Sequence, residues 1–409
     1  MTIHAPKTLI PYSPPQFAKP LLNVPKHRLN LANLPTPLQE IALHSAERNE
    51  QSVLQPLLDL NVQFLVKRDD MSAGVELGGN KIRKLEFLLA DALDGGYDSV
   101  VTIGGEQSNH CRTTAAACRM VGVAPHLILR TRRANQVEKD REENNEDSFG
   151  YIGNVLFDRM VGAKIYTCTP GEYGRIGSKA LVESLCKDLT TESGSKVYPI
   201  PVGGSNGLGT WGYIEAVDEI KSQLNGEAVD HVVFACGSGG TATGITIGLA
   251  LAYRDERENM PNIHAVGVCD DPDYFYQEIA DIAREMRLEV PSNASASPKS
   301  VEDFVKDRVT LYQGKGLGYA SSTEEELEFI SRFASETGIV LDPVYSGKAL
   351  YRFMREVQEN QEKYRNSRIV FWHTGGSLGA YEKISALAPK LNVMSPVKRL
   401  DVYGKKSSN

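Results

Sequence analysis

The sequence predicts an α/β fold of two open, twisted parallel sheets with helices on both faces. Three observations support this fold class. Short apolar runs alternate with helical patterns along most of the chain, several runs end in glycine-rich or polar turns, and 409 residues exceed the usual size of one domain. Ligands of such sheets bind beyond the carboxyl ends of the strands, so the turns after the apolar runs are the candidate sites.

The predicted elements follow one another as strand–helix pairs. The first strand spans 62–67 and precedes a helix over 81–93, in which Ile82, Leu85 and Leu89 have helical spacing. Further strands are predicted at 99–103, 125–129, 164–167, 197–200, 229–235, 263–268 and 369–373. Further helices are predicted at 113–121, 178–189, 212–224, 241–252 and 273–286, with a short helix after the last strand.

Three segments depart from this pattern. Residues 1–39 contain no Asp or Glu and many prolines, which favours an arm wrapped on the surface over an organelle transit peptide. Residues 130–147 are almost free of apolar side chains, so a solvated surface insertion is predicted. Residues 289–300 are small, polar and contain proline, which predicts a connecting loop.

The composition argues against several classes of partner. The formal net charge of −7 gives no general affinity for nucleic acid or anionic membrane, and no segment approaches the ~20 apolar residues of a membrane helix. The six cysteines form no C-x-x-C pair, and four lie in apolar runs, which indicates reduced thiols in a cytosol-like compartment. No His or Cys stands at ligand spacing from the acidic cluster 270–273, so no metal site is predicted.

A basic cluster begins the helix predicted at 81–93. Asn80 is a suitable helix cap, and Lys81, Arg83 and Lys84 follow it. Each cation opposes the helix dipole at a cost of ~0.3–1 kcal/mol, which an anion bound between them would offset. Lys84 is therefore predicted to hold a phosphate, and Lys81, crowded by its two neighbours, to lose its proton and form an imine. The residues alone equally allow a basic surface turn.

Two further turns follow predicted strands. Ser108 and Asn109 come after the strand that ends at Ile103, where they fit either helix caps or catalytic groups. The sequence Cys-Gly-Ser-Gly-Gly-Thr at 236–241 follows a buried strand and begins a helix, which predicts a phosphate-binding loop. The same loop fits a dinucleotide pattern, with Asp270 as the ribose-binding acid, so a nicotinamide-dependent oxidoreductase remains open on this motif.

The late motifs are ambiguous one at a time. Tyr319 and Tyr345 each fit ordinary core tyrosines, and His373 fits a packed histidine at a strand end. Thr374 follows the last strand, where it is placed to enter a pocket.

Taken together, the motifs resemble the D-cysteine desulfhydrase and 1-aminocyclopropane-1-carboxylate deaminase group of pyridoxal-5′-phosphate (PLP) enzymes, which have the tryptophan-synthase-β-like fold (PLP fold type II). The resemblance runs from about Tyr12 to about Leu387. The motifs that carry it are KRDD at 67–70, GGNKIRKLEF at 78–87, IGGEQSNHCR at 103–112, PVGGSNGLGTWGYIEA at 201–216, CGSGGTATG at 236–244, DDPDYFY at 270–276, GLGYA at 316–320, LDPVYSGKA at 341–349 and HTGG at 373–376.

The resemblance implies a role for each cofactor-binding residue. Lys81 is the Schiff-base lysine and follows Asn80, Asn109 bonds the ring hydroxyl of PLP, and Thr374 faces the pyridine nitrogen. The phosphate is held by Lys84 and by the loop Gly237, Ser238, Gly239, Gly240 and Thr241.

The resemblance also implies the catalytic and substrate-binding residues. Lys81, Ser108, Tyr319 and Tyr345 are the catalytic group, with Ser108 as a proton-transfer residue. The substrate, a small D-amino acid, is contacted by Ser108, Asn109, His110, Tyr319, Tyr345 and Ser346.

The family organisation implies a large PLP-binding domain from residues 1–85 and 209–391, a small domain from 86–208, and a tail from 392–409. PLP lies in the cleft between the domains, and the expected assembly is a homodimer. The expected location is cytoplasmic, with import into an organelle such as the mitochondrion as the alternative.

Two positions distinguish the branches of the family. Deaminases resemble one another in a Glu where this chain has Ser346 and a Leu where it has Thr374. A carboxylate beside the pyridine nitrogen keeps it protonated and strengthens the electron sink, whereas hydroxyls leave it neutral. Elimination of a thiolate needs the weaker sink only, so the resemblance implies α,β-elimination of D-cysteine to pyruvate, hydrogen sulfide and ammonia. The alternatives are deamination of aminocyclopropane carboxylate to 2-oxobutanoate and a PLP-binding protein without turnover.

Overall fold

The computed structural model describes residues 5–43, 52–143, 145, 149–290 and 300–400. Two main sheets use different parts of this chain, and a short antiparallel ribbon pairs Ile10–Pro11 with His27–Arg28. Helices cover both faces of each main sheet. The predicted α/β class with parallel sheets is confirmed.

The larger sheet has six strands, of which five are parallel and one edge strand is antiparallel. Their spatial order is Val309–Gln313, Asn262–Gly267, His231–Cys236, Arg368–His373, Gln63–Arg68 and the antiparallel Leu38–Glu40. Alternate side chains of a strand point to opposite faces. Val232 and Phe234 accordingly pack on one helix layer, and Val233 and Ala235 on the other. Since both faces are covered, the central strands are almost continuously apolar.

The helices on the two faces of the larger sheet come from different stretches of the chain. One layer consists of Gly207–Leu224, Gly240–Ala252, Pro272–Glu285 and Val301–Arg308. The other consists of Gln55–Asp59, Glu324–Thr337, Ser346–Glu359, Gln361–Tyr364 and Ile384–Met394.

The smaller sheet has four parallel strands in the order Lys164–Cys168, Ala124–Arg130, Ser99–Gly105 and Val197–Pro199. Val100 faces the helix Lys81–Asp94, whereas Val101 and Ile103 face the opposite layer. The helices around this sheet are Lys81–Asp94, Asn109–Val121, Ala134–Glu142, Asn154–Met160, Pro170–Ile176 and Ser178–Ser193.

Every predicted strand and helix is present, with ends that differ by a few residues. The short helix expected after the last strand is a 3₁₀ turn over Ser377–Lys383 that continues into Ile384–Met394. The elements that the sequence patterns did not predict lie in both halves of the chain. They are Gln55–Asp59, Ala134–Glu142, Asn154–Met160, Pro170–Ile176, Val301–Arg308, Glu324–Thr337, Ser346–Glu359 and Gln361–Tyr364, with the edge strands Leu38–Glu40 and Val309–Gln313.

Most described residues of the predicted insertion over 130–147 are exposed, as expected, but the segment is not an irregular loop. Arg130 ends a strand of the smaller sheet, and Ala134–Glu142 is a helix in which Asp140 is buried. Polar pairs one turn apart stabilise such a helix without apolar residues, as Gln136 does by donating to Asp140 at 2.6 Å. Residues 144 and 146–148 lie outside the described part of the chain, as do 291–299 of the predicted connecting loop.

The amino-terminal arm packs against the helices that cover one face of the larger sheet. Leu21 bridges to Leu288, and the indole N–H of Trp211 donates to the carbonyl of Asn23 at 3.0 Å. Within the described ranges, no helix is both long and apolar enough to cross a membrane.

Candidate active site

A cavity of about 310 Å³ lies between the carboxyl ends of the two parallel sheets. Most of the predicted site residues line it, namely Asn80, Lys81, Ser108, Asn109, His110, Gly237, Ser238, Gly239, Thr241, Tyr319, Tyr345 and Thr374. Lys84, Gly240 and Ser346 are buried directly behind its wall. The topology therefore brings together side chains that are up to nearly 300 positions apart in the sequence.

The turn before Lys81 is held in a conformation that favours glycine. Gly78 and Gly79 have φ of +59° and +103°, and the following N–H of Asn80 donates to the carbonyl of Thr374 at 3.0 Å. The prediction that Asn80 caps the helix is wrong, because its backbone is already helical and its side chain makes no cap bond. Instead, its amide donates to Thr241 Oγ1 at 3.2 Å, which ties the Lys81 turn to the glycine-rich loop.

Lys81 is the first residue of its helix and is partly exposed to the cavity. Burial lowers the pKa of its amine to about 8. The prediction that Arg83 contributes to this effect is wrong: the guanidinium of Arg83 points away, to Asp69 at 2.9 Å and Glu219 at 2.9 Å. Desolvation alone therefore makes the Lys81 amine easier to deprotonate.

Asp69 anchors the helix of Lys81 from the side opposite the cavity. Its buried carboxylate accepts hydrogen bonds from Arg83, from the hydroxyl of Tyr213 at 2.7 Å and from the indole N–H of Trp372 at 2.9 Å. Thr36 donates a further bond at 2.9 Å. These partners come from four separate parts of the chain, so the position of Lys81 depends on one buried polar cluster.

The glycine-rich loop has no space for a side chain at Gly237 or Gly240. A Cβ on Gly237 would lie 2.7 Å from the ring of Tyr345, and one on Gly240 would lie 2.8 Å from both Lys84 Nζ and Ser205 Oγ. The helix that follows begins at Gly240, so its first N–H groups have no partner within the helix and its positive dipole end adjoins the cavity. The loop therefore has the geometry of an anion-binding cradle.

Lys84 places a buried amine behind this cradle. Its fully buried amine donates to the carbonyl of Gly203 at 3.1 Å and to Ser205 Oγ at 3.0 Å, and no carboxylate of the described residues pairs with it. Burial, with the nearby charge of Lys81, lowers its pKa well below the usual value. An anion in the cradle would restore the charge of Lys84, which is the behaviour of a phosphate site.

Ser205 is a site residue that the sequence reasoning missed. Its hydroxyl lies 2.8 Å from Ser238 Oγ and contacts Lys84, so it joins two predicted phosphate-binding elements. The signal was present, because Gly203 and Gly204 precede it at positive φ in a turn that begins a helix.

The turn after the strand Ser99–Gly105 carries two unpaired polar atoms. Ser108 caps its helix by accepting from the N–H of Cys111 at 3.2 Å, as one interpretation predicted, and it also lines the cavity, where a catalytic role stays a prediction. Asn109 Oδ1 is buried without a partner among the described residues, as is His110 Nδ1. Buried polar atoms are rarely left unpaired, so a polar ligand is expected here.

A chain of hydroxyls lies on the opposite wall. Thr374 Oγ1 is 3.1 Å from Ser346 Oγ, which is 3.1 Å from Nδ1 of His373. His373 is buried at the end of its strand, as predicted, and burial lowers its pKa, so it is neutral. Thr374 is the member of this chain that faces the cavity.

The two tyrosines are site residues and not ordinary core tyrosines. Their hydroxyls lie 3.0 Å apart, and both rings line the cavity. Arg130, Tyr173, Cys269 and Glu278 also line it without a role assigned from the sequence, as does Asp270, which the sequence had offered only as a ribose-binding acid.

These features fit PLP. A phosphate suits the glycine cradle, an aldehyde suits the Lys81 amine, and a ring hydroxyl suits the unpaired oxygen of Asn109. Together with two parallel sheets that meet at a cleft, they define a PLP enzyme of fold type II.

Comparison with known proteins supports this class. Residues 31–375 match the family described as "Pyridoxal-phosphate dependent enzyme". A bifunctional D-cysteine desulfhydrase/1-aminocyclopropane-1-carboxylate deaminase, mitochondrial, from Arabidopsis thaliana is 43% identical over 405 residues, which are 97% of this chain and 91% of that protein. A 1-aminocyclopropane-1-carboxylate deaminase from Variovorax paradoxus is 31% identical over 367 residues, 88% of this chain and 97% of the relative.

A solved structure described as an ACC deaminase homologue superposes with a TM-score of 0.70 at 28% identity, covering 92% of this chain and 99% of that chain. The chain therefore belongs to the pyridoxal-phosphate dependent enzymes, in the D-cysteine desulfhydrase and 1-aminocyclopropane-1-carboxylate deaminase group. Its cofactor is PLP, which decides against the nicotinamide alternative for the glycine-rich loop.

Proposed function

We propose that the protein converts D-cysteine and water to pyruvate, hydrogen sulfide and ammonia. The observation that carries this proposal is the pair of hydroxyls, Ser346 and Thr374, at the wall where a deaminase of the family is expected to hold a carboxylate. PLP, when bound, withdraws electrons from the Cα of an amino acid and makes its proton acidic. Sulfide is a good leaving group, so elimination needs no additional carboxylate to strengthen that effect.

Lys81 is the proposed cofactor-binding lysine and the base that takes the proton from Cα. Its amine has a pKa of about 8, so roughly a tenth of it is neutral at pH 7, far more than for an exposed lysine. When Cα loses its proton, the electron pair forms the Cα–Cβ double bond and the C–S bond breaks. The sulfur leaves with the bonding pair and is protonated to hydrogen sulfide, and water replaces the nitrogen to give pyruvate and ammonia.

The other predicted site residues are proposed to position the reactants. Asn80, Asn109 and Thr374 hold the cofactor ring, and Lys84 and the loop 237–241 hold its phosphate. Ser108 and the Tyr319–Tyr345 pair are proposed to transfer or orient protons beside Cβ, with His110 in the substrate pocket. Ser346, predicted to contact the substrate, is instead buried behind Thr374. The 3.0 Å separation of the tyrosine hydroxyls supports a shared proton between them.

The test is release of sulfide and pyruvate from D-cysteine and L-cysteine by the purified holoenzyme. Equal amounts of both products, formed faster from the D-enantiomer, are expected. Lys81→Ala should remove the visible absorbance of the bound cofactor and the turnover together. Undiminished sulfide release by that variant would contradict the proposed mechanism, and yellow protein with no product from either enantiomer would favour a PLP-binding protein without turnover.

Deamination of 1-aminocyclopropane-1-carboxylate is the second candidate function. The Arabidopsis relative is named for both activities, which favours it as a side activity of this chain. The ring substrate has no Cα proton, so opening it demands a stronger electron sink than the hydroxyl pair is proposed to support. Formation of 2-oxobutanoate as fast as pyruvate from D-cysteine would overturn the order of the two functions.

The organisation of the protein is also part of the proposal. We infer a large domain from 1–85 and 209–391, a small domain from 86–208, a tail from 392–409, and a homodimer with no nucleic-acid or membrane partner. A cytoplasmic location is proposed because all six cysteines are free thiols. Mitochondrial import is the alternative, since the Arabidopsis relative is named as mitochondrial, and imaging of a tagged full-length chain distinguishes them.

A further inference from the structure

Asp342 is a buried carboxylate in the motif 341–349. It is 1% exposed, and within the described ranges no cation forms an ion pair with it. Its Oδ2 atom accepts from the N–H of Val344 at 2.9 Å and of Tyr345 at 2.7 Å, and its Oδ1 atom accepts from the N–H of Ser346 at 2.7 Å. Burial raises its pKa to about 6 against the opposite effect of these bonds, so the carboxyl group is mostly ionised at neutral pH and accepts all three.

The three bonds fix the backbone that carries Tyr345. Pro343 has no N–H, so Asp342 accepts from every N–H between itself and the first residue of the helix Ser346–Glu359. The first N–H groups of a helix have no partner within it, and a negative charge beside them is favourable. The carboxylate therefore sets the direction in which the tyrosine leaves the turn, which is into the cavity and against Gly237.

Tyr319, the other member of the tyrosine pair, is supported separately. Lys348 donates to the carbonyl of Lys315 at 2.8 Å, just before the loop that carries Tyr319. The 3.0 Å between the two tyrosine hydroxyls therefore depends on two independent supports, of which the Asp342 turn is one. Because O–H···O hydrogen bonds span about 2.5–3.0 Å, the pair is at the long end of that range, and a small shift of the turn would separate it.

Asp342 lies behind the cavity wall and does not line the cavity, so it can act on the reaction only through a residue that does. Of the three residues whose N–H groups it accepts, Tyr345 is the one that lines the cavity. We propose that Asp342 is a positioning residue of the reaction, which holds the hydroxyl of Tyr345 within hydrogen-bonding reach of Tyr319. This inference rests on the proposed function in taking the tyrosine pair as a proton-transfer group.

The competing explanation is that Asp342 only caps its helix and stabilises the fold. A double-mutant cycle separates the two: sulfide release from D-cysteine is measured in holoenzyme with Asp342→Asn, with Tyr345→Phe and with both, at equal content of bound PLP. Asparagine keeps the shape of the side chain but has one acceptor oxygen, which can accept from at most two of the three N–H groups. Asp271→Asn is the matched control, because Asp271 is exposed, also precedes a proline and accepts from the N–H of Tyr274 at 2.9 Å at the start of a helix.

Asp342→Asn should lower kcat by about tenfold or more, since a misplaced proton-transfer group costs rate, and Asp271→Asn should not change it. In the Tyr345→Phe background, Asp342→Asn should lower kcat by less than about twofold, because the hydroxyl that it would displace is gone. Equal losses in the two backgrounds would assign Asp342 to the fold alone and overturn the proposal, as would Asp342→Asn with the wild-type rate.

A crystal structure of Asp342→Asn tests the geometry independently of turnover. The hydroxyls of Tyr319 and Tyr345 should lie more than about 3.5 Å apart, beyond hydrogen-bonding distance, and a pair that stays at 3.0 Å would overturn the proposal. If Asp342→Asn does not fold, Asp342→Ser, which keeps one acceptor oxygen, takes its place in both measurements. The proposed function fails differently: wild type would then release no sulfide from D-cysteine, while the displaced hydroxyl would still be seen in the crystal structure.

Discussion

The hydroxyls of Ser346 and Thr374 lie 3.1 Å apart, so the hydroxyl that faces the cavity is held by a second one behind it. Ser346 Oγ also accepts from the N–H of Thr374 at 3.3 Å and lies 3.1 Å from Nδ1 of His373. Thr374 is therefore fixed at the wall through both its backbone and its side chain.

Thr374→Val should lower the rate of sulfide release about tenfold to a hundredfold while the protein stays folded. Valine keeps the branched shape but removes the hydroxyl that faces the cavity, so the cofactor ring loses its polar partner at that wall. The measurement is sulfide release from D-cysteine at saturating PLP. Thr374→Ser, which keeps the hydroxyl, is the control and should retain most of the rate; a Val variant as active as wild type would exclude a role for this hydroxyl.

Local patterns predicted most of this fold because each strand–helix pair contains its own signal. The helix Ala134–Glu142 was missed because it is polar and is stabilised by pairs one turn apart, which resemble a solvated loop when only apolar spacing is considered. The helix Glu324–Thr337 begins with a capping box of Thr323 and Glu326, a signal that was present in the sequence and not used.

Sequence motifs predicted which residues belong to the site, but not how their side chains are arranged around the cavity. Lys81, Arg83 and Lys84 form one basic cluster in the sequence. In the helix, however, the side chain of Arg83 points to Asp69 and that of Lys84 points to Ser205. Successive residues of a helix point in different directions, and only tertiary packing decides which direction faces the ligand. Arg130 belongs to no motif, so only the sheet topology places it at the cavity, whereas Ser205 follows a glycine pair whose signal was not used.

The uptake of PLP by the apoprotein should rise with pH through a midpoint near 8. Only the neutral amine of Lys81 can react with an aldehyde, and burial lowers its pKa to about 8, so the reactive fraction increases between pH 7 and pH 9. The measurement is the initial rate at which the visible absorbance appears after PLP is added. Nα-acetyl-lysine under the same conditions serves as the control, since its one amine, on the side chain, titrates about two units higher. A protein midpoint equal to that of Nα-acetyl-lysine would show that burial does not act on Lys81.

Gly240→Ala should weaken PLP binding by at least about tenfold. The added methyl group would lie 2.8 Å from Lys84 Nζ and from Ser205 Oγ. It would therefore displace the amine and the hydroxyl that lie behind the glycine-rich loop. The measurement is the dissociation constant of PLP by absorbance titration. Gly174→Ala is the matched control: it is also a helical glycine, no atom lies within 4 Å of its added methyl group, and PLP affinity should be unchanged. Equal affinity of the two variants would remove the steric argument for the cradle.

Asp69→Asn should reduce the free energy of unfolding by about 3–5 kcal/mol, the cost of removing one partner from a buried ion pair. Burial alone would raise the pKa of Asp69, but Arg83 at 2.9 Å outweighs it and the pKa is lowered. The stabilisation is therefore present above the pKa of an unfolded aspartate and is lost as pH falls through the lower folded value. Asp255→Asn is the control, since that carboxylate is 82% exposed beside Arg254 and its loss should cost less than about 1 kcal/mol. Urea unfolding of both variants at pH 7 and pH 4 gives the comparison of their free energies of unfolding. Because Asp69 anchors the helix of Lys81, the affinity for PLP should fall in Asp69→Asn and not in Asp255→Asn. An Asp69 variant as stable as the Asp255 variant would mean that Glu219 alone can hold Arg83, and that the turn of Lys81 is positioned by its contact with Thr374 instead.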